Sequence, residues 1–262
     1  MKIERENYAQ DAINEFLQYP CVFLLAGSAH RVATAVGSGV IIQTEQNHLA
    51  ILTAKHIAEE TKREEYRLGF FNCTNPISDF VAGILLCPDD VDVGLLIVKD
   101  TLSTQIRNLA VTHNLVPVED YEIVDKDSLV LNGFPAEISL YDQNKNEQGF
   151  TVLTYWCVPE NVSFNGKGRY RLEWKDANVW REDRAFDLPS PEGMSGGPLW
   201  RFRKSVSTSL WSALGTGKII GIQSAWDRKE TAIIEPVSKW SNWFHESIVT
   251  IDKSLRETNL KL

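Results

Sequence analysis

The chain lacks any apolar run approaching the roughly 20 residues that a membrane-crossing helix needs. Its first residues, Met1-Lys2-Ile3-Glu4-Arg5-Glu6-Asn7-Tyr8, are charged and mixed, without the apolar core of a secretory signal. The four cysteines, Cys21, Cys73, Cys87 and Cys157, contain no C-x-x-C pair. They are scattered along the chain, and free, mostly buried thiols in a reducing compartment are expected. No two histidines stand at metal-ligand spacing, so neither a metal nor another cofactor is expected. Basic residues are in deficit: Lys and Arg number 27 against 35 Asp and Glu, for a net charge of −8. An acidic surface argues against nucleic acid as the main partner. Internal repeats, low-complexity tracts and a second recognisable module are also missing. These absences predict a cytoplasmic protein that partners neither membrane nor nucleic acid.

What is present is a length and composition suited to a substantial core: 262 residues, 43% hydrophobic and 24% charged. Residues 6–18 read as a short amphipathic helix carrying Tyr8, Ala12, Ile13, Phe16 and Leu17, and Pro20 stops it. Short apolar runs then recur as strands over 21–26, 33–43, 48–53, 68–71, 79–86 and the stretch after 91. Residues 101–127 connect to a second set, over 129–134, 150–158, 218–226 and 231–236. Residues 161–174 predict a hairpin turned at Asn165-Gly166. The polar stretches 142–149 and 201–214 read as loops, and 237–248 has apolar residues at helical spacing. The fold class is mostly β.

The chemistry concentrates at Pro191-Glu192-Gly193-Met194-Ser195-Gly196-Gly197-Pro198-Leu199-Trp200. Flanking glycines let the backbone bend around Ser195, leaving Oγ exposed and turning the Gly193 and Ser195 amides toward one spot. A hydroxyl becomes a strong nucleophile only with a base to take its proton and donors for the developing oxyanion. His56 follows the apolar run Ile51-Leu52-Thr53-Ala54-Lys55, and Asp92 opens Val93-Gly94-Leu95-Leu96-Ile97-Val98. Asp89, Asp90 and Asp100 are rival carboxylates; Asp92 is preferred because it alone leads directly into the apolar run. His30, His48, His113 and His245 have no such context.

The order His56, Asp92, Ser195, with Gly37-Ser38-Gly39-Val40-Ile41-Ile42 ahead of it, resembles the chymotrypsin/trypsin-like serine peptidases. In style it is similar to their bacterial, disulfide-free branch, which includes the HtrA and glutamyl endopeptidase types. The resemblance runs from about Val22 to Phe244. It implies two six-stranded antiparallel β-barrels, with a helix at each end of the chain. It divides the chain into an extension over 1–20, a first barrel over 21–115 and a second over 116–262. It implies a serine endopeptidase that cleaves protein or peptide substrates through an acyl-enzyme, with Gly193 and Ser195 forming the oxyanion hole. By the same resemblance Ser224 supports the aspartate, and Pro189, Gln223 and Trp226 lie at the substrate pocket. Secreted relatives place an aspartate where this chain has Met194, so no activation by N-terminal cleavage is expected. A protease in cytoplasm implies gating by a regulatory protein or a ligand. The alternative is a protease fold kept as a peptide- or partner-binding module with dormant catalysis. A lipase-type hydrolase is disfavoured because its triad order ends, and does not begin, with histidine.

Overall fold

Several strand segments are apolar at successive positions, such as Val40-Ile41-Ile42 and Leu49-Ala50-Ile51-Leu52. Successive side chains on a strand point to opposite faces, so such a strand must bury both. The computed structural model, which describes residues 2–26, 33–62, 66–70, 73–76, 80–99, 106–118, 123–142, 147–149, 152–174, 188–203, 213–227 and 231–259, shows how this is done.

Along the chain run α1 (Lys2–Gln18), β1 (Cys21–Ala26), β2 (Ala33–Gln43), β3 (Leu49–Thr53), α2 (Lys55–Glu60), β4 (Tyr66–Phe70), β5 (Cys73–Pro76), β6 (Val81–Leu86), β7 (Gly94–Val98) and β8 (Val111–Thr112). Then follow β9 (Asp127–Gly133), β10 (Leu140–Asp142), β11 (Glu147–Gly149), β12 (Leu153–Cys157), β13 (Val162–Phe164), β14 (Tyr170–Glu173), β15 (Pro198–Arg203), α3 (Ala213–Thr216), β16 (Gly217–Asp227), β17 (Thr231–Pro236) and α4 (Ser241–Asn259). One sheet runs in the order β5-β4-β1-β2-β3-β7-β6, with β8 and the hairpin β10–β11 added on β2. The other runs β12-β9-β15-β16-β17-β14-β13. Apart from the parallel β2–β8 pair, the described pairings are antiparallel. Two curled antiparallel sheets with few helices make the mostly-β, chymotrypsin-type two-barrel fold.

The expectation of six strands in each barrel is corrected: among the described residues the sheets hold ten and seven. Part of the difference is the hairpin β10–β11, which begins just before the polar stretch 142–149 expected to be a loop and extends to its end. Its strands are fixed by tertiary pairing instead, Leu140 and Tyr141 lying opposite Thr34 and Ala33 of β2. A division of the chain after residue 115 therefore leaves a piece of the second half paired with the first sheet. The C-terminal helix also starts later and runs further than the expected 237–248, and residues 237–239 form a separate 3₁₀ turn.

Three cores result. Val22, Leu24, Ile41, Leu49, Ile51, Leu96 and Val98 pack inside the first sheet. Leu129, Leu131, Tyr155, Leu172, Leu199, Ile220 and Ile234 pack inside the second. Between them lies a seam built from the alternate residues of the same strands: Val40, Ile42, Ala50 and Leu52 meet Val130, Trp200, Phe202, Ile219 and Ile222. The terminal helices close this seam, α1 with Ile13 and Leu17 and α4 with Phe244, Ile248 and Ile251. Phe16 of α1 meets Trp200 edge to face at 5.7 Å, and Trp156 Nε1 donates to Asn14 Oδ1 at 3.1 Å. Cys21, Cys87 and Cys157 are free and buried. Burial pushes their thiols up, Cys87 to about 11 despite nearby Lys55, so they make poor nucleophiles. The side chain of Cys73 lies outside the described residues. Among the described residues no helix is long and apolar enough to cross a membrane.

Candidate active site

Register brings the first two residues together. β3 and β7 pair antiparallel with Thr53 opposite Gly94, so the chain leaving β3 and the chain entering β7 meet at one end of the sheet. His56 lies three residues beyond Thr53 and Asp92 two before Gly94. Asp92 Oδ2 accepts from His56 Nδ1 at 2.7 Å, and Oδ1 accepts from the His56 backbone N–H at 3.0 Å. That second bond also serves α2, whose N-cap residue Ala54 has no side chain to cap a first-turn amide. The carboxylate therefore fixes imidazole and helix start at once and leaves Nε2 as the ring nitrogen facing away from it. The side chains are 45% and 23% exposed, so the pair sits at the surface with the histidine outermost. Lys55 Nζ donates to the carbonyls of Cys87 and Asp89, pinning the turn that delivers Asp92. Of the rival carboxylates, Asp89 and Asp90 engage through their backbone carbonyls, the latter with Arg169, and Asp100 lies outside the described residues.

The turn before β15 is held peptide by peptide. Four successive carbonyls are each bonded: Glu192 to the Ala136 N–H at 2.6 Å, Gly193 to Ser38 Oγ at 2.9 Å, Met194 to the Gly197 N–H at 2.8 Å, and Ser195 to the Ser38 N–H at 2.7 Å. The Met194 and Gly196 amides donate to Pro191 and Gln223 carbonyls. Among the described residues the Gly193 and Ser195 amides have no acceptor. A trans peptide points its C=O and N–H in opposite directions. The Glu192 carbonyl faces Ala136, so the Gly193 N–H is turned away from it. Gly193 and Gly196 have φ of 88° and 91°, the left-handed region that favours glycine. At Gly196 a Cβ would fall 2.1 Å from both the Ser38 carbonyl oxygen and Thr53 Oγ1, so the turn is pressed against the first sheet. Met194 is fully buried in the second core. Ser195 is half-buried, and its hydroxyl makes no hydrogen bond to His56 among the described residues.

The expected pocket residues are placed as follows. Gln223 is fully buried beside Ile234; its main chain bonds both Gly196 and Gly197, while neither polar atom of its side chain has a partner among the described residues. Ser224 lies at the bulge of β16, and its hydroxyl donates to the Ile233 carbonyl at 3.3 Å, not to Asp92. The bulge turns it toward β17, which corrects the expectation that it supports the aspartate. The buried Pro189 accepts from Trp174 Nε1 at 3.0 Å. Trp174 stacks on Tyr155 at 4.3 Å and meets Trp226 edge to face at 6.3 Å, so Trp226 belongs to an aromatic wall beside residue 189. Ser38, Ala136 and Thr53 were not singled out from the sequence. The one available signal was a serine flanked by glycines in an otherwise apolar strand, Gly37-Ser38-Gly39.

No protein-family model matches the chain, and no curated protein does. Solved structures give distant likenesses. Tobacco vein mottling virus protease is 10% identical over 86% of this chain and 79% of its own, with a TM-score of 0.46. Catalytically inactive tobacco etch virus protease with its substrate is 12% identical over 85% and 79%, also with a TM-score of 0.46. A chain from the structure describing coupled folding and binding of the intrinsically disordered Sesbania mosaic virus VPg protein is 14% identical over 84% and 88%, again with a TM-score of 0.46.

Proposed function

We propose that the chain is a serine endopeptidase in which Ser195 attacks a peptide carbonyl, His56 takes and returns the proton, and Asp92 orients and stabilises the imidazole. The observation that carries this is the pattern of hydrogen bonds over 192–197. Every carbonyl from 192 to 195 is bonded, and two unpaired amides remain, on Gly193 and Ser195. Paired amide donors of this kind suit a tetrahedral oxyanion, and together they account for a large part of the barrier lowering in acyl transfer. The 2.7 Å His56–Asp92 bond supports the same reading, since it leaves Nε2 available to a hydroxyl. That no hydrogen bond joins Ser195 to His56 among the described residues is compatible with it, because catalytic hydrogen bonds often form or tighten only when substrate binds.

Gln223 is the specificity residue in this reading. A buried carboxamide without a partner costs about 1–3 kcal/mol for each group left unpaired, and a substrate side chain that donates or accepts hydrogen bonds would relieve that cost. Trp226 and Pro189, both in contact with Trp174, are the other pocket residues in this reading, and Ser224 is a scaffold residue of the β16 bulge. The chain acts in cytoplasm, gated by a partner protein or ligand, and belongs in style with the bacterial, disulfide-free branch.

Fluorophosphonate labelling read by intact mass tests the reading. One adduct on the wild type, lost in Ser195→Ala, is the expected result. An unlabelled wild type, alone and with candidate partner proteins, would leave the dormant binding module as the better account.

A further inference from the structure

Ser38 stands in the first sheet, 155 residues from the turn it touches, and is fully buried. Its three polar groups are all engaged. The backbone N–H donates to the Ser195 carbonyl at 2.7 Å, and the backbone carbonyl accepts from Thr53 Oγ1 at 2.6 Å. The hydroxyl accepts from the Phe134 N–H at 2.9 Å, which directs its own proton to the Gly193 carbonyl, also at 2.9 Å. A strand position facing a packed joint calls for an apolar side chain or none. A hydroxyl placed there and fully used is doing something a methyl group cannot.

We propose that Ser38 is a positioning residue for the oxyanion-binding amide of Gly193, an inference that rests on the peptidase reading above. Gly193 is the pivot of the turn, at φ 88° and without a side chain to hold it. Its N–H belongs to the peptide whose carbonyl Ala136 holds, and its own carbonyl is held by the Ser38 hydroxyl. With both carbonyls anchored from outside the turn, the N–H between them has one direction. Without the hydroxyl, the half-buried Gly193 carbonyl and the buried Phe134 N–H lose this partner. The 192–193 peptide then hangs from Ala136 alone, and glycine permits it to turn. The main-chain bonds of Ser38 to Ser195 and of Thr53 to Ser38 remain, so the sheet-to-turn joint persists while the amide loses its aim.

The test compares phosphonylation rates of wild type, Ser38→Ala and Ser38→Cys with a fluorophosphonate, whose phosphoryl oxygen occupies the oxyanion position. The low-field proton resonance of the His56 Nδ1–H is recorded on each protein. Ser38→Ala should label about 10–100-fold more slowly, less than the ~10²–10³ for outright loss of a donor, with the His56 resonance retained. Ser38→Cys, near in shape and a weak donor, should fall between. Labelling of Ser38→Ala within about twofold of wild type overturns the inference. So does a rate that falls only together with the His56 resonance, since that reports general damage. If Ser38→Ala does not fold, Ser38→Cys decides by the same two criteria. No labelling of the wild type sinks the peptidase reading and this inference with it; equal labelling of wild type and Ser38→Ala sinks this inference alone.

Discussion

The two halves of the candidate site are built on opposite plans. The His56–Asp92 half is made of side chains at the open end of the first sheet, half exposed, with one carboxylate holding both ring and helix start. The Gly193–Ser195 half is made of main chain in a half-buried turn, with every carbonyl fastened and much of the fastening supplied from elsewhere in the molecule. On the proposed reading, the difference follows from what each half would have to move. An imidazole that passes a proton between hydroxyl and leaving group must meet substrate, so it sits outermost on a single firm contact. An amide that binds a charge in formation gains most by not reorganising, so its peptide planes are fixed beforehand.

If that contrast is right, the halves should fail in different ways. The largest effect is expected from Asp92→Asn. An amide at that place would offer its NH₂ group to Nδ1 and favour the wrong tautomer, so the labelling rate should fall by about 10⁴ with little change in stability. Single-turnover labelling beside urea unfolding checks both parts, and a variant with a normal rate would show that Asp92 does not orient His56. Gly196→Ala should do the reverse and strike the fold first. A left-handed backbone and a Cβ 2.1 Å from Ser38 O and Thr53 Oγ1 predict a loss of about 3–5 kcal/mol, from a strained φ plus overpacking. Gly166→Ala, where nothing lies within 4 Å, serves as its control and should leave the unfolding midpoint unchanged.

A third prediction concerns the fastening of the second sheet away from the site. Asp127 is buried and accepts from Arg203 Nε at 2.8 Å and Nη2 at 3.0 Å, and from the Val124 N–H at 3.0 Å. Burial alone would raise its carboxyl; the Arg203 and Val124 bonds outweigh it and hold the carboxyl below its ordinary value. The folded chain then binds fewer protons in acid than the unfolded one, so this contribution is present above about pH 4 and is lost as pH falls further. Asp127→Ala should cost about 1–3 kcal/mol at neutral pH and less below pH 4, by urea denaturation across that range. An equal cost at both pH values would remove the charge from the explanation.

The smallest effect is expected at His245 on α4. Burial lowers its pKa, against the Val116 carbonyl bonded to Nε2 at 3.1 Å, and His113 adds to the lowering. The folded state therefore resists protonation, and stability should decline as pH drops below about 6.5, with a slope that His245→Gln flattens. A slope unchanged in that variant would assign it to other groups. Because the contacts described for His245 are with Val116, His113 and Phe244 and none is with the Ser195 turn, labelling at pH 7 should be unaffected.

Much of the first half of the site was legible because its information is local. A histidine just past one apolar strand and an aspartate just before another are brought together by any antiparallel pairing of those strands, and Thr53 opposite Gly94 is such a pairing. The serine turn was legible for a different reason: glycines at 193 and 196 mark backbone that other residues adopt only with strain. What could not be read was who holds the turn. Ser38, Ala136 and Gln223 come from three strands or turns distant in sequence, and their roles are carried mostly by backbone groups, which look alike at every residue. Ser224 shows the same limit from the other side. Its residue type fitted support of the aspartate, but a one-residue bulge in β16 directs its hydroxyl to Ile233.

By itself the sequence determined which residues must be buried and on how many faces, because alternation along a strand and spacing along a helix translate directly into sides. It determined the order of the reactive side chains and the glycines on which the turn depends. Tertiary structure alone decided the registers, the addition of β10 to the end of β2, and the assignment of a strand hydroxyl to a carbonyl 155 residues away. Apolar burial is non-directional and is satisfied by many arrangements of the same strands, whereas a hydrogen bond needs one partner at one distance and angle. Those partners exist only once both sheets are in place.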